Sequence, residues 1–471
     1  MLPVIRLTYN PEQLKHSSFC QGKLSSEENN INHTVALRRR GNYSLEYDKI
    51  SYAVKFVDSY GNNVNIKLFN LRKDNYYILD AMAIDKARMR NRVSMELWSQ
   101  MSPYPWYAQS ESEAKNYING LFVELYVNDE YQGIYCLSER IDRKQLKLEK
   151  TAADGNHGIL IKANIDEHFD TVYPIDTYSS LWGGYECQYP DVDAMHPLPE
   201  WQIFADNISF ALNASDQDFN AKAAYYYDLP QMIDYYLFVA VLSALDNMGK
   251  NIYYSYYDVK LYQRLNISPW DLDCTFGRLF NGNELDAYDS ACLFRYMNNM
   301  LFRRIYYTLT DFPRQLEVRY ADLRKDVFSK ENIFAHFDRY FDLFRQTGAA
   351  ERETMRWSGV NDLSLDFDYE QEYIKQWVNR HLHFTDSVFH YTDATKSVIE
   401  DRSRELLVVA TDAEGVIVYS AINQYIRIYS ISGILIADKW LKAGSYEQIC
   451  LPVKRQIYCL QTSNGCKRVF F

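Results

Sequence analysis

From residue 2 to about 165 the apolar positions recur mainly with the period of a strand. Residues 2–9 alternate loosely and predict a strand, residues 10–32 are polar and predict loop, and Val35–Arg40 restarts an extended segment. Lys49–Val57 alternates more clearly: Tyr52, Val54 and Phe56 share one face, and Lys49, Ser51, Ala53 and Lys55 share the other. Phe122–Val127 and Gln132–Leu137 flank Asn128-Asp129-Glu130 as a hairpin, and Gly158–Ala163 predicts a further strand. Ala81–Met101 breaks this pattern, because Ile84, Ala87, Met89, Val93, Leu97 and Met101 recur mostly at helical steps. Asp166–Pro199 has no steady period and predicts an insert or long loop. Helical periodicity then returns in Trp201–Leu212, in Leu229–Leu245 with Asp234 as its one charge, and in Leu293 to roughly Phe389. Beyond Lys396 short alternating runs such as Leu407/Val409, Ile417/Tyr419 and Ile426–Tyr429 are punctuated by Ser432-Gly433, Ala443-Gly444 and Asn464-Gly465. The pattern is that of an α+β chain: strands over about 1–165, helices over about 200–395, and a small all-β sandwich over 396–471.

At 471 residues the chain is long enough for two or three folding units, and a hydrophobic share of 47% is that of a globular protein. The net charge of −11 argues against a nucleic-acid partner or an anionic membrane at the level of the whole chain, while leaving room for local basic spots. Eight widely spaced cysteines without a C-x-x-C pair signal neither a zinc ribbon nor a disulfide framework. No apolar run reaches the length of an ordinary transmembrane helix. Met1-Leu2-Pro3-Val4-Ile5 begins like a mature strand, and we expect a signal peptide to have been removed before it.

The chemistry concentrates between Leu229 and Gly277. Asp246 and Asn251 have the spacing that phosphoryl-transfer enzymes of the protein-kinase type use for a carboxylate facing the hydroxyl nucleophile and an amide on a metal ion. If Trp270–Asp273 is extended, Asp271 and Asp273 share a face, where two oxygen ligands can hold a magnesium ion that keeps waters and bridges phosphates. A glycosidase is the third reading, since Trp182, Trp201 and many tyrosines can line a sugar groove. Asp271 and Asp273 are too close in sequence to flank a glycosidic bond from opposite sides.

The run Asp246…Lys250-Asn251-Ile252-Tyr253-Tyr254, then Ser268-Pro269-Trp270-Asp271-Leu272-Asp273 and Phe276-Gly277, resembles the signature of the CotH kinase-like family, a divergent branch of the protein-kinase fold. Arg40-Gly41-Asn42-Tyr43-Ser44, Lys49–Phe56 and Val123–Tyr135 are similar to its amino-terminal half, so the resemblance covers roughly residues 1–395. It implies a two-lobed fold divided at about 165 and 200, with ATP between the lobes and Mg2+ or Mn2+ on Asn251, Asp271 and Asp273. Asp246 and Lys250 would be catalytic, and Arg40, Gly41, Lys49, Lys55, Glu96 and Glu139 would face the nucleotide. Within that set Glu96 would pair with Lys49 or Lys55, and Glu139 would lie at the hinge passing the adenine. Two positions depart from the family: Ile50 replaces one of its paired lysines, and Tyr43 stands where it has a small residue. Gly41 is the lone glycine of its turn, so there is no G-x-G-x-x-G loop. Residues 428–469 are similar to sorting or adhesion modules of bacterial secreted proteins, which implies an extracytoplasmic location. The function implied is phosphate transfer from ATP to a hydroxyl acceptor, a protein Ser/Thr or a small molecule. The alternative is a catalytically silent kinase-fold binding or surface-structural protein.

Overall fold

In a computed structural model the chain divides into two compact units, Met1–Tyr391 and Thr392–Phe471. The structure describes all residues except 42, 165–180, 191–198, 261–263, 294–298, 393–405, 412–414, 421–423, 431–433, 443–444, 453–456, 463–464 and 471. The protein is a mixed α+β fold.

In the first unit β1 (Val4–Tyr9), β2 (Cys20–Ser26), β3 (Ile31–Arg40), β4 (Ser51–Phe56), β5 (Tyr76–Asp80), β6 (Gly120–Val127) and β7 (Glu130–Ser138) form a closed barrel in the order β1-β2-β3-β4-β5-β7-β6. Closure comes from the parallel pairing of β1 with β6, from Val4 opposite Glu124 to Leu7 opposite Val127. Strand alternation sends Leu7, Leu24, Val35, Leu37, Val54, Phe56, Tyr77, Leu79, Leu125 and Leu137 into the barrel core. β2 falls where the polarity pattern predicts loop. Its inward positions are Cys20, Gly22, Leu24 and Ser26, of which Leu24 alone is a large aliphatic, so pairing on both edges makes the strand. The hairpin between β6 and β7 turns at Asn128 and Asp129, both at positive φ (49° and 67°), as a two-residue turn matched to strand twist requires.

The helix predicted over Ala81–Met101 forms only as α1 (Arg90–Met101). Met82 and Arg88 take positive φ (50° and 58°), which a helix cannot accommodate, and the Asp85 carboxylate accepts the N–H groups of Ala87, Met89 and Arg90 at 2.7–2.9 Å. Polar capping thus overrides the apolar periodicity of the first turns.

A second sheet, antiparallel throughout, comprises β8 (Ile159–Ala163), β9 (Leu181–Trp182), β10 (Tyr185–Tyr189), β11 (Ile252–Tyr256) and β12 (Asn266–Pro269) in the order β12-β11-β8-β10-β9. Most of the insert predicted over Asp166–Pro199 lies outside the described residues; β9 and β10 are its described part. The helices are α2 (Arg143–Leu146), α3 (Pro199–Asn213), α4 (Asp216–Tyr226), α5 (Leu229–Leu242), α6 (Met300–Thr308), α7 (Phe312–Lys325), α8 (Lys330–Gln346), α9 (Ala349–Trp357) and α10 (Phe367–Val388). α5 starts with Pro230 in its first turn, ends at left-handed Ser243 and is buried from Gln231 to Leu242, as its nearly uniform apolarity predicts. One core joins these helices and the second sheet to outward barrel residues such as Ile78, Phe122 and Cys136. No helix among the described residues is long and apolar enough to cross a membrane.

The second unit holds a three-stranded sheet, β13 (Leu406–Thr411), β14 (Gly415–Ser420) and β17 (Ser445–Cys450). It also holds a four-stranded one, β15 (Gln424–Ser430), β16 (Leu435–Leu441), β18 (Ile457–Thr462) and β19 (Gly465–Phe470). One apolar cluster draws Val416, Val418 and Ile449 from the first sheet and Ile426, Ile428, Leu441 and Leu460 from the second.

Candidate functional site

Two chain reversals bring the acidic residues together. After α5 a short 3-10 turn, Leu245–Asn247, carries Asp246, and Asn251 at φ 55° leads into β11. β11 and β12 pair so that Ile252 faces Pro269, and the Trp270 N–H donates to the Asn251 carbonyl at 3.0 Å. The hairpin therefore sets Asn251 beside Asp271, far apart as they are in sequence. Buried Asn247 locks this junction, its amide donating to the carbonyls of Asn251 (3.1 Å) and Trp270 (2.7 Å). The loop beyond Asp271 is held from outside. Leu272 N–H donates to the Asn91 amide oxygen (3.2 Å), the Arg90 guanidinium to the Thr275 carbonyl (3.0 Å), and Tyr373 OH to the Gly277 carbonyl (2.6 Å).

Within this frame Asp246 receives the Lys250 ammonium at 2.8 Å and the Asn251 amide at 3.0 Å, one on each carboxylate oxygen. Asp271 and Asp273 are partly exposed. Burial lifts the Asp271 carboxyl above its ordinary value; Arg40 and Lys162 pull it back, while Asp80 and Asp246 add to the rise. Asp273 stands well above its ordinary value, from burial first and then from the charges of Asp271 and Asp80, with the Cys274 thiol (3.2 Å) opposing them. Asp80, at the end of β5, accepts hydrogen bonds from Asn91, Ser51 and the Met82 N–H. Asp246 and Asp80 are thus answered by neighbouring donors, whereas Asp271 and Asp273 have no ion-pair partner among the described residues.

That donor set fits a hard divalent cation. Among the described residues no group of three or more His, Cys, Asp or Glu side chains is assembled as a ready metal cage. Magnesium does not need one, since it is commonly held by one or two carboxylates with waters and substrate phosphates completing the shell.

The nucleotide-facing set is rearranged more deeply. Lys49 lies before β4 and is fully buried: its ammonium pairs with Glu353 of α9 at 2.9 Å and donates to the carbonyls of Ala81 (3.0 Å) and Ile134 (2.5 Å). It sits neither on a solvated strand face nor within reach of a phosphate. Glu96 pairs with neither lysine; its carboxylate meets His336 (2.7 Å), Arg339 (2.6 Å) and Tyr340 of α8, and Arg92 on its own helix. These partners outweigh burial and hold its carboxyl at about 2. Glu139 is likewise committed: its carboxylate accepts from the N–H groups of Arg72 (2.6 Å) and Asn119 (2.9 Å), and its own N–H donates to the Asn119 carbonyl (3.0 Å). A hinge contact through that N–H is therefore excluded. Gly41 turns the chain at φ 121°, where a Cβ would meet Ser44 Oγ, and Tyr43 packs edge-on to Phe280. Arg40 and Lys55 remain on the outer barrel face, half-buried, with Arg40 over the Trp270 ring (5.6 Å) and Lys55 over Phe19 (4.5 Å) and Tyr76 (5.1 Å).

Sequence reasoning missed Asp80, Arg140 and Lys162. Lys162 had a signal, being the one charge in the apolar strand Gly158–Ala163. Asp80 and Arg140 had none, because their relevance comes from β5–β7 pairing across the barrel. A pocket lined by Leu14, Lys15, His16, Ser17, Arg39 and Leu45 contains none of the acidic residues.

A protein-family model described as CotH kinase protein matches residues 37–385, more than half of the chain and every residue of the site. Inner spore coat protein H of Bacillus subtilis (strain 168) is 22% identical over 256 residues, covering 54% of this chain and 62% of that protein. The chain thus aligns with less than two thirds of that relative's length. With its model matched over most of the chain, the CotH kinase family is the one to which this protein belongs.

Proposed function

We propose that this chain is a kinase-like phosphotransferase that moves the terminal phosphoryl group of ATP to a hydroxyl acceptor, with a protein serine or threonine as the first acceptor to test. One observation carries the reading: Asp246, Asn251, Asp271 and Asp273 gather at one spot where the carboxyls of Asp271 and Asp273 are lifted by burial and by neighbouring carboxylates. Asp271 and Asp273, with the Asn251 amide, would hold a magnesium or manganese ion, which would supply neutralisation of the phosphate charge. Asp246 is oriented by Lys250 and Asn251 so that a carboxylate oxygen can accept the acceptor's hydroxyl proton as its oxygen bonds to the terminal phosphorus and ADP leaves. Family membership supports this chemistry.

In the same reading the barrel serves as the amino-terminal lobe, the helices as the carboxyl-terminal lobe, and residues 396–471 as a β-sandwich module. The spore-coat relative and the sorting-module resemblance support a surface or extracytoplasmic location. The second reading, a kinase-fold binding protein without turnover, draws support from Lys49, whose ammonium is consumed by Glu353.

Calorimetric titration with Mg-ATP and Mn-ATP, beside a phosphate-transfer assay, separates them. Asp271→Asn is expected to weaken metal-dependent nucleotide binding. Asp246→Asn is expected to leave binding intact and lower turnover by roughly a hundred- to ten-thousand-fold. Binding without transfer to any acceptor selects the second reading; no binding with either metal removes the first.

A further inference from the structure

The buried cations of the first unit are paired: Arg88 with Glu353, Arg90 with Asp85 and Glu370, Arg92 with Glu96, and Arg278 with Glu370. A second group is not. Arg40, Lys55, Arg140 and Lys162 are half-buried, yet among the described residues none of their side chains makes an ion pair or a hydrogen bond.

Their placement follows from register. On the outer barrel face Arg40 lies opposite Ser51, Lys55 opposite Tyr76, and Ile78 opposite Ser138, so Arg40, Lys55, Tyr76 and, just past β7, Arg140 share one surface. Arg140 stacks over Tyr76 at 4.2 Å, while neighbouring Arg38 lies over Phe19 at 5.2 Å with its buried Nε lacking a hydrogen-bond partner. The second sheet contributes Lys162, flanked across the sheet by Tyr253 on β11 and Glu186 on β10. Tyr253 packs edge-on against Trp270 at 5.7 Å, and Arg40 covers that same indole. The two sheets therefore bring their unpaired cations to the flank of Asp271. Burial first, with the proximity of Arg40 and Arg140, lowers the Lys162 ammonium from its ordinary value against the pull of Asp271 and Glu186, so the cations lie within one another's field.

Half-burying several like charges without an ion pair or a hydrogen bond is costly, and the aromatic rings under Arg40, Lys55 and Arg140 and the more distant carboxylates around Lys162 offset only part of that cost. We infer that Lys162, Arg140 and Arg40 form a cradle for a polyphosphate, the phosphate chain of the nucleotide, and do the work for which Lys49 is unavailable. The inference rests on the phosphotransferase reading for the identity of the ligand, but the cradle itself is built from residues apart from the acidic set.

The test is calorimetric titration of the whole chain with two probes, Mg-ATP and metal-free sodium tripolyphosphate, each with a melting curve. Lys162→Met is expected to weaken both probes at least tenfold with an unchanged or higher melting temperature, because it removes an unpaired cation. Arg140→Met should weaken both severalfold, and Lys162→Arg should retain most of the affinity. Asp271→Asn is expected to weaken Mg-ATP alone. Unchanged affinity of Lys162→Met and Arg140→Met for both probes overturns the cradle, and leaves the nucleotide reading standing if Asp271→Asn still weakens Mg-ATP. Tripolyphosphate binding that is lost in Lys162→Met, in a chain that binds no ATP, upholds the cradle and removes the nucleotide reading. Binding of neither probe by the unaltered chain overturns both.

Discussion

Two charged clusters in the first unit have opposite electrostatic characters. At the junction of the barrel with α9, Glu353 is fully buried and accepts the Ile134 N–H (2.7 Å), yet Lys49 and Arg88 hold its carboxyl below the ordinary value against burial. Lys49 absorbs the imbalance of two cations sharing one carboxylate: burial first, then Arg88, brings its ammonium down to about 7 although Glu353 opposes them. At the other cluster burial first, and then the charges of Asp80 and Asp246, raise the carboxyls of Asp271 and Asp273, with cations that form no ion pair beside them. Where the polypeptide supplies both signs at hydrogen-bonding distance, the charges hold two parts of the fold together. Where it holds charges of each sign close together but outside ion-pairing distance, as with Asp271, Asp273 and Lys162, the fold gains no such tie, and strongly perturbed groups of this kind are the ones on which the proposed function rests.

This contrast can be broken at its compensated end first. Glu353→Ala leaves Lys49 and Arg88 buried without a carboxylate and should cost about 3–5 kcal/mol in urea unfolding, or abolish a cooperative transition. A loss under about 1 kcal/mol would mean that the cluster does not tie α9 to the barrel. Glu96 gives a smaller effect with a pH signature. Its folded-state value lies below the unfolded one, so its contribution is complete above about pH 4.5 and disappears as pH falls toward 2. The size is roughly 2–3 kcal/mol, and Glu96→Gln should lower stability at pH 7 while flattening its dependence between about pH 4 and 2.

At the uncompensated end the sign should reverse. Asp273→Asn removes a charge that its neighbours repel and is expected to raise stability at neutral pH by about 1 kcal/mol, read as a higher melting temperature. A fall of that size instead would place Asp273 among the structural carboxylates. The smallest effect sharpens the baseline: Lys375 of α10 meets Asp338 of α8 at 2.8 Å with about a third of each side chain exposed. Lys375→Ala should change stability by no more than about 0.5 kcal/mol.

Local chemistry made part of this legible from the residues alone. The β6–β7 hairpin, the apolar α5 and the strand β4 are written in nearest-neighbour patterns, and the structure contains each of them, although β4 is buried on both faces apart from Lys55. β2 and the start of α1 were not legible, because strand pairing decides the first and the Asp85 cap decides the second. At the site, Asp246 and Asn251 could be read together because one turn joins them. Lys49 could not be read as buried, because its partner lies some three hundred residues away.

The sequence by itself determined which residue types were available: carboxylates after α5 and β12, basic residues on β3 and β4, and the helical and strand periods that carry them. Only the tertiary structure decided which of those charges are answered. Ion pairing at 3 Å depends on side chains that the barrel, the second sheet and α9 bring together from distant segments, and no local pattern encodes that distance. The same packing satisfied Lys49, Glu96 and Glu139 and left Asp271, Asp273 and Lys162 without an ion-pair partner among the described residues.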